Sequence, residues 1–211
     1  MSRMTLVIGS PHLSTWSLRA WLAMRHFGLD FAEITIELDR PDTMTRILEH
    51  SPAGRVPVLK YGNDVVWESL AIVEYLAERH PDLGIWPADP GARARARSLA
   101  AEMHAGFSAL REEFPMDLRD ARPGRRPSLA ASADIGRICG IWRSTRDGFG
   151  GEGPFLFGAF GAVDAMFAPV AVRFRTYGLE LGDAVAGAYG RSLWSQPALV
   201  EWRRKAGSTF S

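Results

Sequence analysis

Four hydroxyl side chains crowd a short stretch near the start of the chain, SPHLSTWSLRAWL (10–22); they belong to Ser10, Ser14, Thr15 and Ser17. An apolar run at 5–9 precedes this stretch and predicts a strand, whereas the apolar spacing that follows predicts a helix. The N-terminus of a helix offers free N–H groups and positive potential. The junction therefore predicts either a capped helix or a site for an anion, to which one hydroxyl donates a hydrogen bond.

A second stretch, SPAGRVPVL (51–59), carries Pro57 inside an apolar strand pattern. Proline cannot donate to a sheet ladder, so it belongs at an edge or a bulge. The Val56–Pro57 bond is either trans, the common state, or cis. In the cis case we expect the backbone N–H and C=O of Val56 to face outward, where they can pair with a peptide-like ligand.

A third stretch, WESLAIVEYL (67–76), places Glu68 and Ser69 between a predicted strand and a predicted helix. Ser69 can cap that helix, which is the simpler interpretation. The free N–H groups of the same helix end can also receive a carboxylate, while Glu68 meets an ammonium group. An acid beside an anion-binding helix end is what an amino-acid head group requires.

The composition is that of a globular protein with a substantial core, since 46% of the 211 residues are hydrophobic and 23% are charged. The formal net charge of +1 gives no reason to expect a nucleic acid or a membrane surface as partner. Cys139 is the only cysteine, and the five histidines lack metal-ligand spacing, so we expect neither an internal disulfide nor a metal site. No leader pattern and no long apolar run is found, which predicts a cytoplasmic location.

The elements that must position these residues change character along the chain. The first 80 residues alternate between strand and helix patterns, in the order βαβ and then αββα. A segment rich in Pro, Gly and Asp at 81–92 predicts a linker. Beyond it the patterns are helical, at 94–119, 128–146, 163–177 and 197–205.

When combined, these features resemble the cytosolic glutathione S-transferase family, and the resemblance covers essentially the whole chain. The motifs AGRVPVL and ESLAIVEYLAE, at this spacing and ahead of a Pro-rich linker, are highly specific together. The resemblance implies an α/β thioredoxin-like N-terminal domain plus an all-α C-terminal domain. We expect the glutathione-binding domain at 1–83, the linker at 84–91, and at 92–211 a helical domain that lines the pocket for an electrophile.

The resemblance also assigns residues to the parts of glutathione. Val56 would pair its backbone with the cysteinyl part, next to a cis Pro57. Glu68 and Ser69 would hold the γ-glutamyl head group, and Arg55 lies where the family often places a polar or basic residue near the glycine end. The SPHLSTW junction would receive the sulfur as a thiolate, the nucleophilic form of a thiol.

In this family the sulfur is met by a tyrosine, a serine or a cysteine. None of the tyrosines is near the first helix, and the single cysteine is in the helical half, so the site resembles the serine type. Ser14 is the first choice, with Thr15 and Ser10 as alternatives; simple capping of the helix is the competing interpretation. If Trp16 is matched to the tryptophan of zeta-like SSCSW motifs, Leu13 falls on their serine and Ser14 on their cysteine.

The second substrate would be an apolar electrophile, bound between the domains and lined by the first helix of the helical half. His104, Phe107 and Arg111 are the candidates for this pocket. His104 and Arg111 are seven residues apart, so a continuous helix over 94–119 would put both on one face.

One feature departs from the family pattern. The core helix of the second domain usually begins with a Ser/Thr-x-x-Asp capping box. In FGAVDAMFAPV, Gly161 stands where the hydroxyl is expected, with Asp164 three residues on. We expect a helix start that keeps only the acidic half of the box.

The function implied is that of a glutathione S-transferase acting in detoxification, as a homodimer, with glutathione as co-substrate. Two alternatives stay open: a glutathione-dependent cis–trans isomerase of the maleylacetoacetate type, suggested by the zeta-like STWSLR, and a non-catalytic ligand-binding or regulatory protein. A thiol reductase or dehydroascorbate reductase is argued against, because those reactions need a cysteine at the junction.

Overall fold

The computed structural model describes residues 4–151, 153–207 and 209. The outermost residues of the two predicted domains, 1–3 and 210–211, lie outside the described part. The strands are β1 (Met4–Gly9), β2 (Phe31–Ile36), β3 (Val58–Tyr61) and β4 (Asp64–Trp67). The helices are α1 (Thr15–His26), α2 (Thr43–Leu48), α3 (Ser69–Arg79), α4 (Pro90–Ala105), α5 (Ser108–Glu113), α6 (Leu129–Phe149), α7 (Ala162–Tyr177), α8 (Ala184–Trp194) and α9 (Pro197–Lys205).

The four strands form one mixed sheet in the order β2-β1-β3-β4. β1 pairs with β2 in parallel, and β3 runs antiparallel to both β1 and β4. Side chains alternate across β1, as a pleated strand requires. Leu6 and Ile8 belong to the main core with residues of α1 and α3. Val7 lies on the other face, in a smaller cluster with Ile47 of α2. This is the predicted thioredoxin-like domain.

The rest of the chain is helical around α7, in which every residue except Arg175 is buried. The two halves pack directly against each other through α1. Arg19 of α1 donates from Nε to the Met166 carbonyl of α7 at 3.1 Å. On the other side, Trp202 of α9 donates from Nε1 to the Pro11 carbonyl at 2.9 Å. Two helices of the helical half, α7 and α9, therefore hold the chain on either side of the start of α1.

The predicted helix over 94–119 is wrong in its extent. A helix does begin there, but at Pro90 with Asp89 as its cap, and it ends at Ala105. Phe107 has a φ of 64°, in the left-handed region, and α5 starts after it. Gly106 is a weak helix former and allows the chain to leave the helix, while Phe107 turns into the core. The segment from 114 to 128 is irregular.

Two other boundaries differ from the prediction. The predicted linker includes a short 3₁₀ helix at Pro81–Leu83 as well as the first residues of α4. The sequence patterns predict no helix at the position of α8, although Asp183 caps α8 by accepting from the Ala186 N–H at 2.9 Å. Gly187 and Gly190 within α8 weaken its helical pattern, which explains the omission.

The start of α7 keeps the acidic half of a capping box, as predicted. The Gly161 N–H donates to Asp164 Oδ2 at 2.8 Å. The other carboxylate oxygen accepts from the Leu156 N–H at 3.1 Å and from the Tyr189 hydroxyl at 2.7 Å. Burial raises the pKa of the Asp164 carboxyl to about 6. Tyr189, from α8, thus contributes a hydroxyl to the helix start that lacks its usual serine or threonine.

Candidate functional site

A cavity of about 430 Å³ opens where the N-terminus of α1 meets the segment before β3 and the junction of β4 with α3. All three stretches singled out from the sequence contribute to its wall, together with a residue of α4. The predicted site residues in the wall are Ser14, Thr15, Arg55, Val56, Pro57, Glu68 and His104. Four others do not line the cavity, namely Ser10, Ser69, Phe107 and Arg111.

The segment before β3 presents backbone to the cavity. The Val56–Pro57 peptide bond is cis, which is the less common of the two states considered from the sequence. Pro57 is buried and Val56 is half-buried. The N–H and C=O of Val56 have no hydrogen-bond partner within the described ranges. Arg55 is exposed beside them. A free donor and a free acceptor at a cavity wall are available to an extended peptide.

The junction of β4 with α3 is strained and uncapped. Glu68 occupies the cap position of α3 with a φ of 69°, which is unusual for any residue other than glycine, and makes no capping hydrogen bond. Its side chain is 46% exposed. Ser69 is the first residue of the helix proper, so the expectation that it caps α3 is wrong. It is fully buried, and its Oγ has no hydrogen-bond partner in the described part of the chain. Such an end can bind an anion.

The first helix is capped by Ser14, as the simpler interpretation expects. Ser14 Oγ accepts from the Ser17 N–H at 3.3 Å and donates to Ser17 Oγ at 2.7 Å. Ser10 is engaged elsewhere, since its Oγ accepts from the Leu38 N–H at 2.8 Å and donates to Glu37 at 3.0 Å. Ser10 therefore ties the end of β1 to the chain that leaves β2.

Thr15 faces the cavity beside Ser14 and has a partner from the helical half. Its Oγ1 accepts a hydrogen bond from Nη2 of Arg173 at 3.2 Å. Arg173 lies in α7, is buried, and was not among the residues singled out from the sequence. The signal that could have found it is its position as the first charge after a long apolar run in α7, MFAPVAV.

His104 meets Glu68 across the cavity, with 3.6 Å between Nε2 and Oε2. Its ring lies edge-on to Trp16, with 5.0 Å between ring centroids. Burial and then the charge of Arg19 lower the pKa of His104, against the opposing pull of Glu68. The ring is therefore neutral near pH 7, and it borders both the acid of the α3 junction and the indole of α1.

The prediction that His104 and Arg111 share one helix face is wrong, because the helix breaks between them. Arg111 lies in α5 and folds back, donating from Nε to the Gly106 carbonyl at 2.9 Å and from Nη2 to the Met103 carbonyl. Its guanidinium lies 5.1 Å from the Trp16 ring centroid. Arg111 and His104 thus both contact Trp16, from separate helices. Phe107 is a core residue.

Comparison with known proteins gives a consistent set of relatives. Residues 13–79 match the family model described as glutathione S-transferase, N-terminal domain. The probable maleylacetoacetate isomerase of Caenorhabditis elegans is 35% identical over 96 residues, which are 46% of this chain and 44% of the relative. The maleylacetoacetate isomerase of Pseudomonas aeruginosa is 38% identical over 109 residues, 50% and 51% of the two chains. The chain thus matches about half the length of these curated relatives.

The structural likeness extends over the whole fold. A glutathione transferase homologue from Burkholderia gl BGR1, crystallised with bound glutathione, aligns with a TM-score of 0.72 at 25% identity and covers 97% of both chains. The tau-class glutathione S-transferase of mango aligns with the same TM-score at 21% identity, over 97% of this chain and 96% of its own. Within the described residues, no helix is long and apolar enough to cross a membrane.

Proposed function

We propose that this chain, a member of the cytosolic glutathione S-transferase family, binds glutathione in the cavity beside α1 and activates its thiol for attack on an apolar electrophile. The observation that carries the proposal is the convergence of three separate stretches on one cavity of about 430 Å³. One stretch offers free backbone groups, one offers an acid beside an open helix end, and one offers a helix N-terminus with hydroxyls.

The unpartnered groups fit the functional groups of the tripeptide. The free N–H and C=O of Val56, beside Pro57, match a cysteinyl backbone. The orphaned Ser69 hydroxyl and the open end of α3 match the γ-glutamyl carboxylate, and Glu68 matches its ammonium group. Arg55 is exposed at the rim, where it can meet the glycine carboxylate. In that arrangement the cysteinyl sulfur points toward Ser14 and Thr15.

The residues at the start of α1 would favour the charged form of the sulfur. A free thiol with a pKa near 8.5 is mostly protonated at pH 7. A hydroxyl that donates a hydrogen bond, together with the positive end of a helix, stabilises the thiolate and lowers that pKa. Bound glutathione supplies the nucleophile: its thiol proton goes to solvent, its sulfur bonds to the electrophilic carbon, and the leaving group departs with the displaced electron pair.

A second function is favoured by the names of two relatives, both of which are maleylacetoacetate isomerases. In a cis–trans isomerase the same thiolate would add to a conjugated double bond and leave again after rotation. Glutathione would then be regenerated and not consumed. The two activities differ in how much glutathione is consumed per product. In both, Val56, Glu68 and Ser69 would bind glutathione in the same way.

The finer expectations belong to the same proposal. We expect a cytoplasmic homodimer that acts in detoxification and divides into domains at 1–83 and 92–211 across a linker at 84–91. His104 is expected to border the electrophile, since it lies in the cavity wall next to Trp16. Phe107 and Arg111 would influence the electrophile only indirectly. Phe107 would support the cavity wall from the core, and Arg111 would position the ring of Trp16.

The test is calorimetric titration of the full chain with reduced glutathione near pH 7, followed by turnover with an activated aryl halide and with a cis-dienoate. Binding with glutathione consumed in step with product supports the transferase. Product without loss of glutathione supports the isomerase. Binding with no turnover of either class supports a non-catalytic protein, and no binding at several millimolar overturns the proposal.

A further inference from the structure

Three arginines, two of them buried and one half-buried, converge behind the N-terminal end of α1. They come from three helices, with Arg19 in α1, Arg111 in α5 and Arg173 in α7. Arg19 is fully buried and Arg173 is 4% exposed. None of the three is within 4.0 Å of a carboxylate in the described ranges. Buried charges are costly unless they are paired, so this cluster of cations calls for an anion nearby.

Backbone carbonyls hold the cluster in place without neutralising it. Arg173 donates from Nε to the Phe114 carbonyl at 2.9 Å and from Nη1 to the Pro169 carbonyl at 3.2 Å. Arg19 Nη1 is buried and has no hydrogen-bond partner among the described residues. The guanidinium of Arg19 lies 4.5 Å from the Trp16 ring centroid. Burial lowers the pKa of all three arginines, with that of Arg173 reaching about 9, which leaves Arg173 cationic at pH 7.

The third hydrogen bond of Arg173 connects the cluster to the cavity. Nη2 donates to Thr15 Oγ1 at 3.2 Å, and Thr15 lies in the cavity wall. Because Oγ1 accepts from a cation, its own O–H is polarised and becomes a stronger donor. No group in the described part of the chain accepts that hydrogen. Thr15 therefore presents an activated, unused donor to the cavity.

The neighbouring hydroxyl of Ser14, in contrast, already makes two hydrogen bonds within the protein. Its hydrogen is donated to Ser17 Oγ at 2.7 Å, and its oxygen accepts from the Ser17 N–H. A hydroxyl has one hydrogen to give. Both contacts of Ser14 are with Ser17 inside the helix cap, whereas the contact of Thr15 is with a cation and leaves its hydrogen directed to no described group.

We propose that Thr15 donates the hydrogen bond that stabilises the glutathione thiolate, and that Arg173 is the positioning residue that orients and polarises its hydroxyl. This inference rests on the proposed function and assigns Ser14 to helix capping. Thr15 keeps its proton throughout, and the thiol proton goes to solvent. The cationic Arg173 then stands one hydroxyl away from the sulfur. The charged and titratable groups around this position and its arginines are Arg19, Arg55, Glu68, His104, Arg111, Asp134, Arg173 and Tyr177; Asp134 acts on Arg111, and Tyr177 acts on Arg173.

The test measures the pKa of the bound thiol from the ultraviolet absorbance of the thiolate as a function of pH, with saturating glutathione. Thr15→Val keeps the shape of the side chain but removes the hydroxyl, and we expect the thiol pKa to rise by about one unit or more. Turnover with an activated aryl halide at pH 7 should fall roughly 10–100-fold. Thr15→Ser retains a hydroxyl and should restore a low pKa.

Ser14→Ala tests the competing assignment, and Thr176→Val is the control. Ser14→Ala should lower thermal stability, because a cap is lost, while leaving the thiol pKa in place. Thr176→Val removes another buried hydroxyl from α7, one that donates to the Asp117 carbonyl at 2.9 Å, and should also leave the thiol pKa in place. A raised pKa in Ser14→Ala together with a normal pKa in Thr15→Val would overturn the inference, as would a normal pKa in both.

The positioning role of Arg173 is tested by substituting it in the presence and in the absence of the Thr15 hydroxyl. Arg173→Met should raise the thiol pKa in the wild-type background and have a smaller effect when Thr15 is already valine. Equal effects in the two backgrounds would contradict the positioning role. If Arg173→Met does not fold, the variants at position 15 decide the question alone. Calorimetry on wild type separates the two proposals: absent binding ends the proposed function, whereas binding with a thiol pKa insensitive to Thr15 ends only this inference.

Discussion

Two helix N-termini face the same cavity, and they are built differently. The start of α1 is satisfied within the protein, since Ser14 caps it and buried arginines stand behind it. The start of α3 is left open, with Glu68 in a strained conformation and the Ser69 hydroxyl buried without a partner among the described residues. Capping removes a binding site for an anion but leaves the electrostatic field, whereas an open end keeps both. Under the proposed function, the contrast predicts a division of work, in which α3 holds the ligand and α1 tunes the charge of its sulfur.

The largest expected effect concerns the open start of α3. Glu68→Gln should weaken glutathione binding by roughly 10–100-fold, because a hydrogen bond to a charged group contributes about 1.5–3 kcal/mol and 1.4 kcal/mol is tenfold in affinity. Calorimetric titration measures the change. Glu78→Gln, an exposed change in the last turn of the same helix, is the matched control and should bind like wild type. Equal affinity for Glu68→Gln and wild type would remove Glu68 from the binding site.

The second prediction compares the two serines by stability. Ser14→Ala should lower the free energy of unfolding by about 1 kcal/mol, the usual cost of losing a side-chain cap. Ser69→Ala should leave it within about 0.5 kcal/mol, because the lost hydroxyl makes no hydrogen bond in the unliganded protein. Urea unfolding of both variants gives the values. A larger loss for Ser69→Ala than for Ser14→Ala would reverse the assignment of capped and open ends.

A third prediction concerns the strain at the α3 junction. Glu68→Gly should raise the stability of the unliganded protein by up to about 1 kcal/mol, since a positive φ in a residue with a side chain costs of the order of 1–3 kcal/mol and the entropy of glycine offsets part of it. Glutathione affinity should fall in the same variant. Thermal unfolding and calorimetry together check the pair of effects. If stability falls instead, the conformation of Glu68 is not a source of strain.

The smallest expected effect is a pH dependence of stability caused by His104, which contacts residues at the starts of both α1 and α3. Burial holds the pKa of His104 below its ordinary value of 6.5 in the folded protein. A base with a depressed folded pKa contributes stability that is present above 6.5 and is lost as the pH falls through the folded pKa. His104→Gln should therefore make the loss of stability below pH 6.5 less steep, as followed by thermal unfolding across pH. If stability falls equally steeply below pH 6.5 in His104→Gln and in wild type, the pKa of His104 does not differ between the folded and unfolded states.

Much of this site could be predicted from the sequence because its parts are local. The strand before Ser10, the awkward position of Pro57 and the Glu68–Ser69 pair before an amphipathic helix each signal a backbone feature within a few residues. The acidic half of the capping box at Asp164 was visible for the same reason. Such features depend on neighbours in the chain, so patterns of spacing can predict them.

What the sequence concealed depends on distant contacts. Arg19, Arg111 and Arg173 meet only because α1, α5 and α7 pack together, and in the sequence an arginine on a helix suggests a solvated face. A signal did exist, since Arg19 shares a helix face with Trp16 and Leu22, which are apolar. Ser17, three residues after Ser14, is the local signal that favours Ser14 as the cap of α1.

The most direct test of the division of work is calorimetric titration of the full chain with reduced glutathione, repeated in buffers of different ionisation enthalpy. The observed heat then reports both the affinity and the protons released on binding. We predict saturable binding at one site per chain with release of the thiol proton near pH 7, because in the proposed arrangement α3 holds the tripeptide and α1 ionises its sulfur. Binding without proton release would contradict the role of α1, and absence of binding at several millimolar would contradict the account as a whole.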